Sequence, residues 1–205
     1  MSTVGVIGGS GLYKGQDLYE SDLSMSQFIK MEQSFIVDTP FGDPSSEITR
    51  LKGPGRTVYF ISRHGADHSI LPDEVNYRAN IFALKKLGVK HILSFAAVGS
   101  LKEEIAPGDI VIPEQFIDRS TSRTASFFGE GIVAHAQFAD PFCNQLREEV
   151  CAAVKENADN KVHLGGTYLA MQGPQFSTRA ESKSIQVLGL RYYRDDKFNR
   201  SKASS

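Results

Sequence analysis

The chain has 205 residues, 40% hydrophobic and 23% charged, with a formal net charge of -1. That length suits one sizeable domain or a large part of one, and a near-neutral balance without a basic patch or stripe gives no argument for nucleic acid. The apolar runs are strand-sized, far short of a membrane span, and the first strand begins too early for a signal peptide, so the cytoplasm is the expected compartment.

In chain order, Val4 to Ile7 reads as a buried strand running into Gly8-Gly9-Ser10-Gly11. The turn fails the dinucleotide fingerprint, because Lys14 stands at the third glycine position, and it lacks the Gly-Lys-Ser/Thr ending of a P-loop. A tight turn relieving backbone strain and an anion cradle both fit it. Thr57 to Ile61 is a second strand, ending in Ser62-Arg63-His64-Gly65. A buried arginine needs a partner. That partner is either a carboxylate such as Asp67 or Asp73, or a phosphate gripped bidentately with help from His64. His68, Asn76 and Tyr77 follow closely and are candidates to line the same cleft.

Asn80 to Leu87 has helical spacing and is closed by Gly88. His91 to Phe95 is a third strand, leading into Ala96-Ala97-Val98-Gly99-Ser100. Asp109 to Ile112 and Gly166 to Met171 are further buried strands, and Asp140-Pro141 opens a helix towards Asn157. Cys143 and Cys151 fall in that helix, too far apart for a disulfide and without the close pairing of a zinc site. Helices alternating with strands predict an α/β fold, a mixed central sheet with helices on both faces. In such a sheet ligands bind beyond the carboxyl ends of the strands. Glycine turns, a hydroxyl, an arginine and small residues exposing N–H groups there suit an oxyanion, most simply phosphate.

After the last buried strand come Gly173-Pro174-Gln175-Phe176-Ser177-Thr178-Arg179-Ala180-Glu181. Phe176 fits either a core or a stack on a heterocycle. Ser177 or Thr178 has a hydroxyl for a ligand, and Glu181 is the structural partner expected for Arg179. From Lys183 onward the sequence is charged and shows neither helical nor strand period. Residues 1–182 therefore form the expected domain, with 183–205 an aberrant tail expected to be disordered.

Read together, these segments resemble the nucleoside phosphorylases, specifically the 5′-methylthioadenosine phosphorylase branch. The resemblance lies in Gly8 to Gly11, Asp38 to Gly42, Arg63 to Gly65, Val75 to Tyr77, Ala97 to Leu101, Pro107 to Asp109, Phe116 to Arg119 and Gly173 to Glu181. It implies a trimeric α/β enzyme that cleaves the purine–ribose bond with inorganic phosphate as co-substrate, using no cofactor and no metal. By position, Ser10, Arg63, His64, Ala96 and Ala97 would hold phosphate, Ala96 through backbone alone because the family commonly has a hydroxyl residue there. Phe176 would pack on the purine. Ser177 stands where relatives selective for 6-oxopurines carry glutamate, which favours 5′-methylthioadenosine over the alternative, a 6-oxopurine nucleoside phosphorylase. No residue is assigned as catalytic.

The family continues with Trp-Gly, Gly-Met-Thr-Asn and a purine-side aspartate, none of which follows here. Read one nucleotide later, residues 184–205 can encode a continuation containing Trp-Gly and Gly-Met-Thr-Asn, which implies a frameshift near Glu181 to Ser184. A fold incomplete at the C-terminus and little or no phosphorolysis by the chain as written are the resulting expectations. A non-catalytic remnant is the reading from a different class.

Overall fold

The computed structural model describes residues 2–9, 11–15, 30–121, 123–157, 159–189 and 192–194. Ser10, one of the expected phosphate residues, lies outside them, as do residues 190, 191 and 195–205 of the expected tail. The described residues divide into two compact units, one lying within 2–97 and 123–127, the other within 98–121 and 128–194.

The first unit is built on a five-stranded sheet of β1 (Ser2–Gly8), β2 (Lys30–Phe35), β3 (Ile48–Gly53), β4 (Arg56–Ser62) and β5 (His91–Ser94), in the order β2-β3-β4-β1-β5. β2, β3 and β4 run antiparallel, whereas β4, β1 and β5 are parallel, so the sheet is mixed as expected. Alternation along the strands sends Ile7, Ile48 and Ile61 to one face, where Ala83 and Leu84 of helix α1 (Tyr77–Lys86) pack on them. Val6, Leu51 and Phe60 gather on the other face with Leu12 and Val58. Close approach of α1 and of the chain just after it to β1 depends on the missing side chain at Gly5. A Cβ there would sit 3.0 Å from Val89 Cγ1 and 3.1 Å from Leu84 Cδ1.

Helix α1 begins three residues earlier than its apolar spacing predicted, because Asn76 caps it by accepting from the Ala79 N–H at 3.2 Å. Buried Asn80 fits the helix because Ser45 satisfies it on both sides: its Oδ1 accepts from Ser45 N at 2.8 Å and its Nδ2 donates to Ser45 Oγ at 2.9 Å.

The second unit has a four-stranded sheet in the order β6-β11-β10-β8 and a parallel pair, β7 with β9. The strands are β6 (Gly99–Ser100), β7 (Ile110–Ile112), β8 (Gln115–Asp118), β9 (Val162–Leu164), β10 (Thr167–Ala170) and β11 (Tyr192–Arg194). Helix α2 spans Asn144–Asn157 and α3 spans Arg179–Val187. In-register Phe116 and Tyr168 stack across β8 and β10 with ring centroids 5.6 Å apart. Phe142 leans on both rings, at 6.0 and 6.3 Å. That anchor holds the chain just ahead of α2, which starts at Asn144 rather than at Asp140-Pro141. Its first turn closes from the Arg147 N–H to the Cys143 carbonyl at 3.0 Å. Cys143 is therefore outside the helix and exposed while Cys151 is buried within it, and both thiols are free.

Lys183 does not mark the end of regular structure. Helix α3 runs through it to Val187, and Ile185 is buried against Leu101 and Leu169. Tyr192–Arg194 then pairs with β10 on one side and β6 on the other. A helix start signal at Thr178 and one apolar anchor at Ile185 are enough to carry order past a sequence that has no evident period. Among the described residues, no helix is long and apolar enough to cross a membrane.

Candidate active site

In the first unit the ends of β1, β4 and β5 lie side by side. Gly8 is paired with Ser62, and Ile7 with both Ile61 and Ser94. The ladder continues one step further, with Arg63 N–H donating to the Gly8 carbonyl at 3.0 Å and Phe95 N–H to the Ile7 carbonyl at 2.9 Å. This register brings the Gly9 turn, Arg63-His64 and Ala96-Ala97 to one edge, the place where an open α/β sheet receives its ligand.

Arg63 is 3% exposed and His64 2%. The Arg63 Nε–H donates to His64 Nε2 at 3.2 Å, and Nη1 donates to the Phe95 carbonyl at 3.4 Å. His64 Nδ1 faces the Ile70 carbonyl at 2.9 Å. A carbonyl can only accept, so the proton of His64 sits on Nδ1 and Nε2 is left as the acceptor that Arg63 requires. Both ring nitrogens are thus engaged in orienting the guanidinium. A Cβ at Gly9 would overlap Arg63 Nη2, so the bare backbone of the β1 turn closes the third side of the arginine.

The loop after β4 is itself braced. Ser62 N–H donates to Ser46 Oγ at 3.0 Å, and Ser62 Oγ–H donates to the Gly65 carbonyl at 2.8 Å. The His68 ring lies against that of His64, tilted by 47°, with centroids 4.9 Å apart. Asn76 and Tyr77, also expected at this cleft, are spent elsewhere: Asn76 donates to the Phe41 carbonyl at 2.7 Å and Tyr77 Oη to the Pro72 carbonyl at 3.2 Å. Ala96 and Ala97 are half-buried just beyond β5, next to the residue whose carbonyl meets Arg63. The carbonyls of Ile70 and Phe95, which fix the two key side chains, carry no side-chain signal by which the sequence could have announced them.

Phe176 and Ser177 stand in the second unit. Phe176 is 48% exposed, so it is not a core phenylalanine. Ser177 Oγ lies 2.8 Å from Ser182 Oγ, one turn into α3. Thr178 and Glu181 form a reciprocal cap: Glu181 N–H donates to Thr178 Oγ1 at 3.2 Å, and Thr178 N–H donates to Glu181 Oε2 at 2.6 Å. The Glu181 carboxylate is therefore used on backbone rather than on Arg179, and the Thr178 N–H holds its carboxyl below the ordinary value. Asp109 is likewise lowered, first by the hydrogen bond from His163 Nε2 at 2.7 Å and then by the Ala106 N–H at 3.0 Å.

A family model described as the phosphorylase superfamily matches residues 3–193. The S-methyl-5′-thioadenosine phosphorylase of Geobacter sulfurreducens is 51% identical over 188 residues, covering 91% of this chain and 62% of the relative. That of Saccharolobus solfataricus is 48% identical over 183 residues, covering 89% and 63%. The chain thus spans a little over three-fifths of the length of these curated relatives. Among solved structures, a methylthioadenosine phosphorylase from an antarctic soil metagenomic library superposes with a TM-score of 0.83 at 42% identity, covering 94% of this chain and 64% of that one. The methylthioadenosine phosphorylase of Schistosoma mansoni gives 0.84 at 34% identity, covering 95% and 73%. The mixed α/β architecture and the resemblance read from eight segments are both borne out, and the chain belongs to the phosphorylase superfamily, on its methylthioadenosine phosphorylase branch.

Proposed function

We propose that the protein is by descent a phosphorylase of 5′-methylthioadenosine, whose reaction yields adenine and 5-methylthioribose 1-phosphate. The observation that carries this reading is the alignment of three strand ends around the buried, pre-oriented Arg63. An oxygen of phosphate forms the new bond to the anomeric carbon as the bond to the purine nitrogen breaks, and the base leaves with the electron pair and gains a proton. The transition state has oxocarbenium character. A phosphate held beneath the sugar by Arg63, with the backbone of Ala96 and Ala97 and the Ser10 hydroxyl, supplies both the nucleophile and the opposing charge. In this arrangement His64 acts through Arg63. Phe176 packs on the purine, and Ser177 leaves the site without the carboxylate that a 6-oxopurine's ring N–H would engage.

On the same resemblance we place the enzyme in the cytoplasm, as a homotrimer serving purine salvage, with no cofactor beyond phosphate as co-substrate. The test is adenine release from methylthioadenosine with and without phosphate, run on the 205-residue chain and on a version continued in the alternative frame. The continued enzyme is expected to require phosphate and saturate with it. Release that ignores phosphate, or faster turnover of inosine, would overturn the reading.

A further inference from the structure

The loop between β4 and α1 is folded back by three backbone bonds: Gly65 N–H to the Ser62 carbonyl at 3.2 Å, His68 N–H to the Gly65 carbonyl at 3.2 Å, and Ile70 N–H to the His64 carbonyl at 3.0 Å. At its apex His68 has φ 53, the left-handed region that few non-glycine residues occupy. Such strain is retained where the surrounding structure fixes it, and it clusters at functional sites. Its effect here is to bring the His68 ring onto His64, tilted 47° at 4.9 Å. Tyr13 meets His68 in turn in a T-shaped contact, at 5.2 Å and 84°. A chain of contacts therefore runs from the segment after the β1 turn, through Tyr13, His68 and His64, to Arg63.

We propose that His68 is a positioning residue of the phosphate site: its ring keeps the His64 imidazole in the orientation in which Nδ1–H donates to Ile70 and Nε2 accepts from Arg63. The proposal rests on Arg63 being the phosphate anchor. The outer torsion of a histidine is broad and roughly two-fold. A half-turn of the His64 ring would replace each bonded nitrogen by a carbon and release the arginine. A ring packed against it at 4.9 Å opposes that turn, and Tyr13, in contact at 5.2 Å, keeps the His68 ring from moving away. His68 needs no contact with phosphate for this role.

The experiment is nitrogen-15 NMR of the histidine rings in the 205-residue chain, which reads the His64 tautomer directly, together with calorimetric titration of inorganic phosphate. His68→Asn suits the left-handed backbone but has no six-electron ring to stack, whereas His68→Phe keeps a ring without nitrogens. The parent is expected to show one His64 tautomer, protonated at Nδ1. His68→Asn should show a mixture and bind phosphate about two- to tenfold more weakly, the range controlled by one net hydrogen bond. His68→Phe should restore both readouts towards the parent, and if it does not fold, His68→Asn decides alone. An unchanged tautomer and unchanged affinity in His68→Asn would overturn the proposal, as would a folded His68→Phe that behaves like His68→Asn. Phosphate binding that survives Arg63→Ala, beside a disturbed tautomer in His68→Asn, would instead sink the phosphate reading and leave the His68 role standing.

Discussion

Gly9 and Arg63 are fitted so closely that position 9 has no room for a side chain: an added Cβ would overlap Arg63 Nη2 and lie 2.6 Å from the Phe95 carbonyl oxygen. Gly9→Ala must therefore push the guanidinium out of its place or spread β1 from β5. We expect a loss of about 1–3 kcal/mol in stability, the usual cost of overpacking, and a larger proportional loss of phosphate binding. Thermal melting with and without phosphate checks both. A variant whose melting temperature still rises normally with phosphate would show that the turn does not close the site.

Arg63→Ala should weaken phosphate by at least about tenfold, equivalent to ~1.4 kcal/mol. Arg63→Lys is expected to recover only part of this, because a point charge cannot reproduce the fork that His64 and Phe95 hold in plane. Titration of phosphate into the three proteins is the measurement, and equal affinities would remove Arg63 from the site.

Base selectivity is expected to favour 6-amino purines. Ser177 offers a hydroxyl, already near Ser182, and no carboxylate. A site that lacks the partner for a ring N–H discriminates against the base that carries one. The ratio of kcat/KM for methylthioadenosine to that for inosine, in an active form of the enzyme, is the readout, and a ratio below one refutes the assignment.

Acid should destabilise the second unit through two carboxylates. The Asp109 carboxyl is held below its ordinary pKa in the folded state by hydrogen bonds from His163 and the Ala106 N–H, and that of Glu181 by the Thr178 N–H. A lowered folded pKa means stability that is present above the unfolded value and is lost as pH falls through the folded one. Melting temperatures should therefore be level above about pH 5 and fall below it. Asp109→Asn and Glu181→Gln should each flatten part of that fall. An acid limb identical in both variants would assign it to other groups.

The strands whose ends meet at the candidate site were legible because β1, β4 and β5 read as continuous apolar runs, each ending at a polar turn. β2 and β3 were not. β2 is almost wholly exposed, and its register to β3 is supported by Glu32 lying 2.9 Å from Arg50 and 3.4 Å from Lys52, cross-strand pairs that leave no apolar pattern. The Thr178-Arg179-Ala180-Glu181 stretch carries a capping-box signature, whereas the reading from residue type paired Glu181 with Arg179. Residue type and position singled out Arg63 and His64, and the structure buries both at the strand ends. The division of labour between them was not legible, because it is set by the carbonyls of Ile70 and Phe95, and main-chain acceptors look the same at every residue.

The place of β1 between β4 and β5 has a consequence for synthesis. β1 is an interior strand, yet it precedes both of its neighbours in the chain, and these are completed only at Ser62 and Ser94. Both edges of this apolar strand are unpaired until Ser62, and one stays open until Ser94, the condition under which strands find wrong partners. Growth of the chain from residue 62 to residue 94 is thus a window of exposure. Chaperone capture or stalling within it should govern the yield of folded protein more than any step that follows.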